Sequence, residues 1–253
     1  MIKLVTCTWG HSNSFPIEST MLYQSFVNRN PVENFVHFHY NRGAYYLEEQ
    51  QYLQRMGVQA EYIMFKIELL RKSVAELETD YLIFADATDV FCTDSIEHLP
   101  KIFDLDKNIY FSAERNDWPK ANMITHWENY INYGPEDRAN RTFLNSGVQL
   151  AKKEKYLELL DSCLARFCVH NVTGHGGDQG VFAWHYNMVP EPRIMLDYSM
   201  AFAWSTYDSN PDEFYGKNNK VYCAKTGISP VFIHDNGTNY GGQKFVSRFG
   251  LQA

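Results

Sequence analysis

The sequence predicts an α/β protein built on a mostly parallel central sheet flanked by helices. Apolar runs of strand type alternate with segments of helical spacing through the first third of the chain. Such a β-α-β-α-β-α-β order places helices on both faces of a parallel sheet. The chain has 253 residues, 45% of them hydrophobic, enough for a substantial core in one large domain. No internal repeat, low-complexity tract or linker divides it. A single domain over residues 1–253 is therefore expected, with 1–95 as its ligand-binding half and 96–253 as its second half.

The elements follow in order. Ile2–Thr8 reads as a buried strand, Ile17–Val27 as a helix and Phe35–Tyr40 as a second strand. Tyr45–Met56 reads as a charged amphipathic helix closed by Gly57, a residue suited to a helix C-terminus. Val58–Ile63 fits a third strand, Lys66–Leu77 a helix, and Tyr81–Ala85 the next strand. Beyond these, Ile109–Ala113, Phe143–Leu150, Val221–Ala224 and Val231–His234 are strand-like, and Lys155–Phe167 and Asp178–Tyr186 helical. Glu114–Arg141, with Trp118, Trp127, Tyr130 and Tyr133, reads as a long loop, and loops of that length are usually functional. The tail, Gly241–Ala253, has little pattern.

Four segments carry chemistry. The strand Tyr81–Ala85 ends in Asp86-Ala-Thr-Asp89. Strand ends of open α/β sheets are where ligands bind. Two hard oxygen ligands there suit Mg²⁺ or Mn²⁺, ions that usually sit on phosphate. In Phe143-Leu-Asn145-Ser146-Gly147, a small polar cluster interrupts an apolar strand, and glycine permits a ligand to approach the backbone closely. Gly174-His-Gly176-Gly177-Asp178-Gln179 opens a helix with a carboxylate that could orient or deprotonate a hydroxyl. Val231-Phe-Ile-His234-Asp235-Asn236-Gly237 again ends a strand in polar groups, and His234 is a candidate metal ligand. Plainer readings stand beside these: a turn cap at Asp86, a bulge at Asn145, an N-cap at Asp178 and a structural His234. All four segments nevertheless share one pattern, an apolar strand or glycine turn followed by ligand-type side chains.

These pieces, in this order, resemble a GT-A glycosyltransferase. They are most similar to the glycosyltransferase domain of procollagen lysyl hydroxylases and the related procollagen galactosyltransferases. The similarity runs through Lys66, Asp86-Ala-Thr-Asp89, Phe111-Ser-Ala-Glu114 with Trp118-Pro119, Leu144-Asn-Ser-Gly147, Asp178-Gln179, Leu196-Asp197 with Phe202, and His234-Asp-Asn-Gly237. The resemblance implies a Rossmann-like GT-A fold and transfer of a hexose, glucose or galactose, from a UDP-sugar to a hydroxyl. The acceptor would be a glycan, a glycoconjugate or a protein side chain. It implies Mn²⁺, with Mg²⁺ as the alternative, on Asp86, Asp89 and His234. Thr6 and Thr8 would face the nucleoside, Lys66 would lie near the donor, and Gly147, Asn236 and Gly237 would help bind it. Asn145 would contact the transferred sugar or the acceptor, and Asp178 would be nearest the reacting centre. Two departures bear on specificity: Thr88 stands where relatives carry an aromatic residue, and Gly176-Gly177 where they carry further carboxylates.

Composition narrows the alternatives. The formal net charge of −7, without a long basic run, argues against nucleic acid as a partner. Thr6-Cys-Thr-Trp-Gly-His11 lacks the glycine-rich phosphate loop of a nucleotidyltransferase. A non-catalytic sugar-binding module would not need Asp86, Asp89 and His234 together. Five cysteines, odd in number and without a C-x-x-C pair, argue against a disulfide framework and a structural zinc site. No apolar leader or run long enough to span a membrane is present, so a cytoplasmic location is expected. N-glycosylation triplets start at Asn140, Asn171 and Asn236; a glycan on Asn236 would block the expected site, which favours the same compartment.

Overall fold

The computed structural model describes residues 1–10, 15–41, 62–114, 143–170, 177–207, 210–236 and 248–251, with a few single positions between 44 and 51. Its strands are β1 (Ile2–Gly10), β2 (Phe35–Asn41), β3 (Tyr81–Ala85), β4 (Val90–Cys92), β5 (Asn108–Glu114) and β6 (Phe143–Lys152). They continue with β7 (Arg193–Asp197), β8 (Ala203–Ser205), β9 (Phe214–Lys217), β10 (Lys220–Cys223) and β11 (Phe232–His234). The helices are α1 (Met21–Val27), α2 (Tyr62–Ala75), α3 (Leu99–Ile102), α4 (Lys153–His170) and α5 (Gly177–Met188).

Nine strands form one sheet in the order β2-β1-β3-β6-β5-β8-β11-β4, with β7 also paired to β5. Five ladders are parallel: β1 with β2 and β3, β5 with β7 and β8, and β8 with β11. The long strand β6 runs against β3 and β5, and β4 against β11. The mostly parallel sheet expected from the sequence is thus present.

Helices cover both faces. On one, Phe65, Leu69 and Leu70 of α2, Tyr156, Leu159 and Leu160 of α4 and Phe182 of α5 pack on Val5, Phe84 and Phe111. On the other, Leu22 and Phe26 of α1 pack on Leu4, Ile83 and Ala85. Neighbouring strand residues face opposite ways, which is how one apolar run feeds both cores.

β3 and β4 are five places apart along the sheet path, yet only Asp86–Asp89 joins them. A flat sheet would separate them by about 24 Å at normal strand spacing, whereas that link spans at most about 17 Å when fully extended. The sheet must therefore curl until its far edge meets β3, and both aspartates lie on the seam.

Several local expectations change. Tyr62 and Ile63, expected to end a strand, begin α2. The helix expected over Ile17–Val27 is broken at Thr20, whose hydroxyl accepts the Tyr23 N–H (3.2 Å) and caps α1 after a 3-10 turn. β4, β7, β8 and β9 were not expected. The Leu196-Asp197 segment is structural, because the Asp197 carboxylate accepts Phe202 N–H (2.6 Å) and Ala203 N–H (3.1 Å) and so ties β7 to β8. Most of Tyr45–Met56, Gly57, the loop after Glu114 with its Trp118-Pro119, Asn140, Asn171, Gly174–Gly176, Gly237 and most of the tail lie outside the described residues.

Candidate active site

Backbone pairing brings the first three site residues together. At the end of β3 the Asp86 N–H donates to Gly147 O of β6 (2.9 Å), prolonging that ladder by one bond. After the short link, β4 pairs with β11 so that His234 lies opposite Val90, and Asp235 N–H donates to Asp89 O (2.8 Å). The result is a cluster in which one ligand atom each from Asp86, Asp89 and His234 lies within 4.8 Å of the others. His234 Nε2 is 3.3 Å from Asp89 Oδ2 and 3.6 Å from Asp86 Oδ2. The imidazole is buried, whereas the two carboxylates open onto a cleft of about 420 Å³.

The charges of this cluster are unbalanced. Partial withdrawal of the Asp86 carboxyl from water, reinforced by Asp178 and Asp89 against the pull of His234 and Lys66, raises its pKa. At His234, burial works to lower the pKa but is outweighed by the hydrogen bond and charge of Asp89, and the pKa is raised. Two carboxylates and an imidazole converging on one point are a donor set suited to a hard divalent cation. The residues fit a metal.

The imidazole orientation follows from its neighbours. Asn145 Oδ1 accepts the Gly147 N–H (3.0 Å), and a backbone N–H can only donate, so the side-chain amide has its oxygen on that side. His234 Nδ1 lies 2.9 Å from the same oxygen and must carry a proton. Nε2 is then the nitrogen whose lone pair can ligate, and it is the one beside the carboxylates. Hydrogen bonding of the second ring nitrogen is the usual device for fixing a metal-binding histidine. Asn145→Leu is expected to weaken Mn²⁺ binding by about 10- to 100-fold, measured by water-proton relaxation on protein with an unchanged circular dichroism spectrum. Wild-type Mn²⁺ affinity in that variant would mean that the ring is oriented by other contacts.

Gly147 serves the same ring. A Cβ built on it would lie 2.0 Å from His234 Cε1 and 2.4 Å from Nδ1, so the imidazole occupies the space a side chain would need.

A second buried carboxylate lies behind the cluster. Glu114, at the end of β5, is 1% exposed and accepts three amide N–H groups. They come from Gln179 Nε2 (2.7 Å), Asn236 Nδ2 (2.7 Å) and Asn145 Nδ2 (3.3 Å). Burial dominates these favourable bonds and pushes its pKa up to about 7. Gln179 Oε1 in turn accepts Ser146 N–H (3.1 Å). Glu114 thus connects β6, α5 and the segment after β11 beneath one cleft, whose walls also include Ser146, Gly147 and Tyr207.

Lys66 of α2 and Asp178 in the first turn of α5 form an ion pair at 3.2 Å, both largely shielded from solvent. The Asp178 charge outweighs the cost of burial and holds Lys66 protonated.

Comparison with known proteins now adds to the geometry. The model of the PLOD GT domain family matches residues 63–241. The chain belongs to that family. It is also similar in structure to a glycosyltransferase involved in the glycosylation of the major capsid of PBCV-1, with a TM-score of 0.52, 12% sequence identity and 94% of each chain covered. At that identity the likeness shows the fold. No curated protein matches the chain in sequence.

In this PLOD-type glycosyltransferase domain, Asp86, Asp89, Asn145, Gly147, His234 and Asn236 all line one cleft. Thr6, Thr8, Lys66 and Asp178 are not among its lining residues. Thr6, expected to face the nucleoside, is fully buried, and its hydroxyl donates to Ala85 O (2.6 Å), which fixes β3 just before Asp86. Asn145, expected to contact sugar or acceptor, is 2% exposed and holds His234 and Glu114. Gly147, expected to admit a ligand, admits the His234 ring. Gln179 and Glu114 carry no role in the sequence reading. A carboxylate closing an otherwise apolar strand, as Glu114 closes Asn108–Glu114, was the available signal. Among the described residues, no helix is long and apolar enough to cross a membrane.

Proposed function

We propose that this domain transfers a hexose, glucose or galactose, from a UDP-sugar to a hydroxyl of a glycan, a glycoconjugate or a protein side chain, with Mn²⁺ or alternatively Mg²⁺. The observation that carries the reading is the meeting of Asp86, Asp89 and His234 on one cleft in a glycosyltransferase-family chain. Asp86, Asp89 and Nε2 of His234 would hold the cation. When bound, a divalent cation supplies Lewis-acid stabilisation of the charge that grows on a departing diphosphate.

The protein's own groups do the rest. Lys66, kept cationic by Asp178, lies close enough to Asp86 to act on its charge and adds a fixed positive potential beside the donor. Asn145 and Gly147 keep His234 in one orientation. In the transfer, the bond from anomeric carbon to diphosphate oxygen breaks, a bond to the acceptor oxygen forms, and the acceptor hydroxyl gives up its proton. If configuration inverts, a carboxylate takes that proton. Asp178 is the candidate implied by the resemblance, but it is salt-bridged to Lys66 and lies outside the cleft lining. Glu114 lines the cleft, but it is 1% exposed and its carboxylate already accepts three amide N–H groups, so its part is to hold Asn145, Gln179 and Asn236 in place.

We read residues 1–253 as one domain, supported by a sheet that draws strands from both the donor half, 1–95, and the acceptor half, 96–253. Cys7, Cys92, Cys163 and Cys223 are all free thiols, which favours a reducing, cytoplasmic compartment.

Slow donor hydrolysis tests the function without knowledge of the acceptor. A panel of nucleotide-sugars is incubated with the protein, with Mn²⁺ and after chelation. The expected result is UDP release from UDP-glucose or UDP-galactose, lost on chelation and restored by Mn²⁺. Release that is indifferent to chelation, or confined to donors lacking uridine, would overturn the reading.

A further inference from the structure

The cleft has two unlike walls. Its ionisable groups gather at the seam, on Asp86, Asp89 and His234, and at the buried Glu114. The other lining residues are Asn145, Ser146, Gly147, Gln179, Tyr207 and Asn236. Among the described lining residues there is no lysine or arginine, and Tyr207 is the one aromatic side chain apart from His234. Tyr207 follows β8. In the strand order β3-β6-β5-β8-β11-β4, that strand stands three places from β3 and two from β4. The seam joins β3 to β4, so Tyr207 stands across the cleft from the metal cluster.

The backbone at this place is held firmly and the side chain is not. Tyr207 N–H donates to Asn236 Oδ1 (3.2 Å), and the Asn236 amide N–H goes to Glu114 (2.7 Å). One residue earlier, Thr206 N–H donates to His234 O (2.9 Å) and its hydroxyl to Asp235 Oδ1 (2.9 Å). The segment is thus tied to the strand end that carries His234. The Tyr207 ring is half-buried, and among the described residues it has no stacking partner and its hydroxyl no hydrogen-bond partner. A large ring with a polar tip, fixed at a cleft wall with both face and hydroxyl unengaged, is built to meet a ligand.

Chemistry selects that ligand. The diphosphate and the hexose it carries belong to the seam side, which leaves the far wall to the acceptor. A pyranose presents weakly positive C–H groups on its flat faces and hydroxyls around its rim. The electron-rich face of an aromatic ring complements the first. The neutral groups of Ser146, Gln179 and Asn236 suit the second. An acidic sugar would meet carboxylates with no lysine or arginine in the described lining to offset them. A lysine-type ammonium would need a carboxylate on this wall. The nearest along the sheet, Glu114 on the neighbouring β5, is 1% exposed and already bonded to three amides.

We infer that the acceptor is an uncharged pyranose, a sugar ring of a glycan or glycoconjugate, and that it stacks on Tyr207. This assignment rests on the transferase reading above and narrows its acceptor classes by removing the bare protein side chain. In the step, the acceptor oxygen replaces the diphosphate oxygen on the anomeric carbon. The electron pair of the broken bond leaves on UDP, and the hydroxyl proton ends in solution. Tyr207 is then a specificity-determining residue that touches neither the cation nor the donor.

Transfer to small acceptors tests it on the Mn²⁺-loaded protein, with the donor that the protein hydrolyses. The probes are the methyl glycosides of glucose, galactose, mannose and xylose, methyl glucuronide, and Nα-acetyl-hydroxylysine amide, which offers a hydroxyl without a ring. Product is read by mass spectrometry and rate by UDP release. A neutral methyl glycoside is expected to take up the hexose, and the glucuronide and the hydroxylysine derivative are not. Tyr207→Ala should raise the KM for that glycoside about 10-fold, the worth of one good stacking contact, with a smaller change in the donor KM. Tyr207→Phe, which keeps the ring, should recover most of the loss. Transfer to the hydroxylysine derivative in place of the glycosides, or to none of the probes, would overturn the acceptor assignment alone. So would a Tyr207→Ala protein whose donor KM rises as much as its acceptor KM, because the ring would then serve the donor's own hexose. Absence of metal-dependent UDP release from every donor by wild type would overturn the transferase reading and this assignment with it.

Discussion

Gly147→Ala is expected to remove the cation site and reduce metal-dependent turnover by at least about 100-fold, the scale of losing one group that stabilises the transition state. A Cβ there would sit 2.0 to 2.6 Å from three atoms of the His234 ring, far inside contact distance. Neither partner has room to give. Gly147 lies in β6 where the register against β5 shifts; its N–H is held by Asn145 Oδ1 (3.0 Å) and its carbonyl by the Asp86 N–H (2.9 Å). His234 is 3% exposed and pinned through Nδ1 by Asn145. The ring must turn or β6 must shift, and either moves Nε2 away from Asp86 and Asp89. Overpacking of this kind also costs about 1–3 kcal/mol of stability. Denaturant unfolding, Mn²⁺ titration and donor hydrolysis on the same preparation measure the three consequences. Normal Mn²⁺ affinity in a folded Gly147→Ala protein would show that the His234 ring is not where the metal binds.

Asp89→Ala should abolish turnover while sparing the fold, which separates ligand loss from misfolding. The Asp89 side chain is about one-third exposed, and its structural bond, from Asp235 N–H to Asp89 O, belongs to the backbone and survives the substitution. What disappears is one of the two carboxylates and the nearest counter-charge to His234. A loss of about 100- to 1000-fold in donor hydrolysis is expected, with an unchanged circular dichroism spectrum and melting curve. Near-wild-type turnover under saturating Mn²⁺ would sink the metal assignment.

The contrast between these residues shows how far the sequence could be read. Asp86, Asp89 and His234 were legible because each follows an apolar strand, and a ligand-type side chain at a strand end has few packing reasons to be there. Gly147 is legible as a place of close approach, but that the approaching group is an imidazole from a strand far along the chain is a tertiary fact. Glu114 carries the same local signal, a carboxylate closing a strand, but its three amide partners come from three distant segments and leave no trace beside it. Asp178 had two readings, helix cap and base; its bond to Gln179 N–H (3.0 Å) and its pairing with Lys66 were invisible without α2 beside α5. Thr8 is not among the residues lining the cleft, and its contacts with His37 and His39 depend on the register of β1 against β2. The fold class was readable from the regular early alternation. β4, β8 and β11 have three residues each, too short to print a period-two pattern, and of these only β11 was expected, as part of a longer run.

The curled sheet has a consequence for how the protein is made. The aspartates of the seam leave the ribosome with the early strands, and the histidine that completes their set leaves with the last strand of the sheet. Until β11 has joined β8 and β4, a growing chain has two carboxylates but no third ligand and no closed edge. Premature termination anywhere before β11 therefore yields a product without His234 and without the closed edge, however well its first strands have folded. The cluster of Asp86, Asp89 and His234 is therefore completed late and all at once.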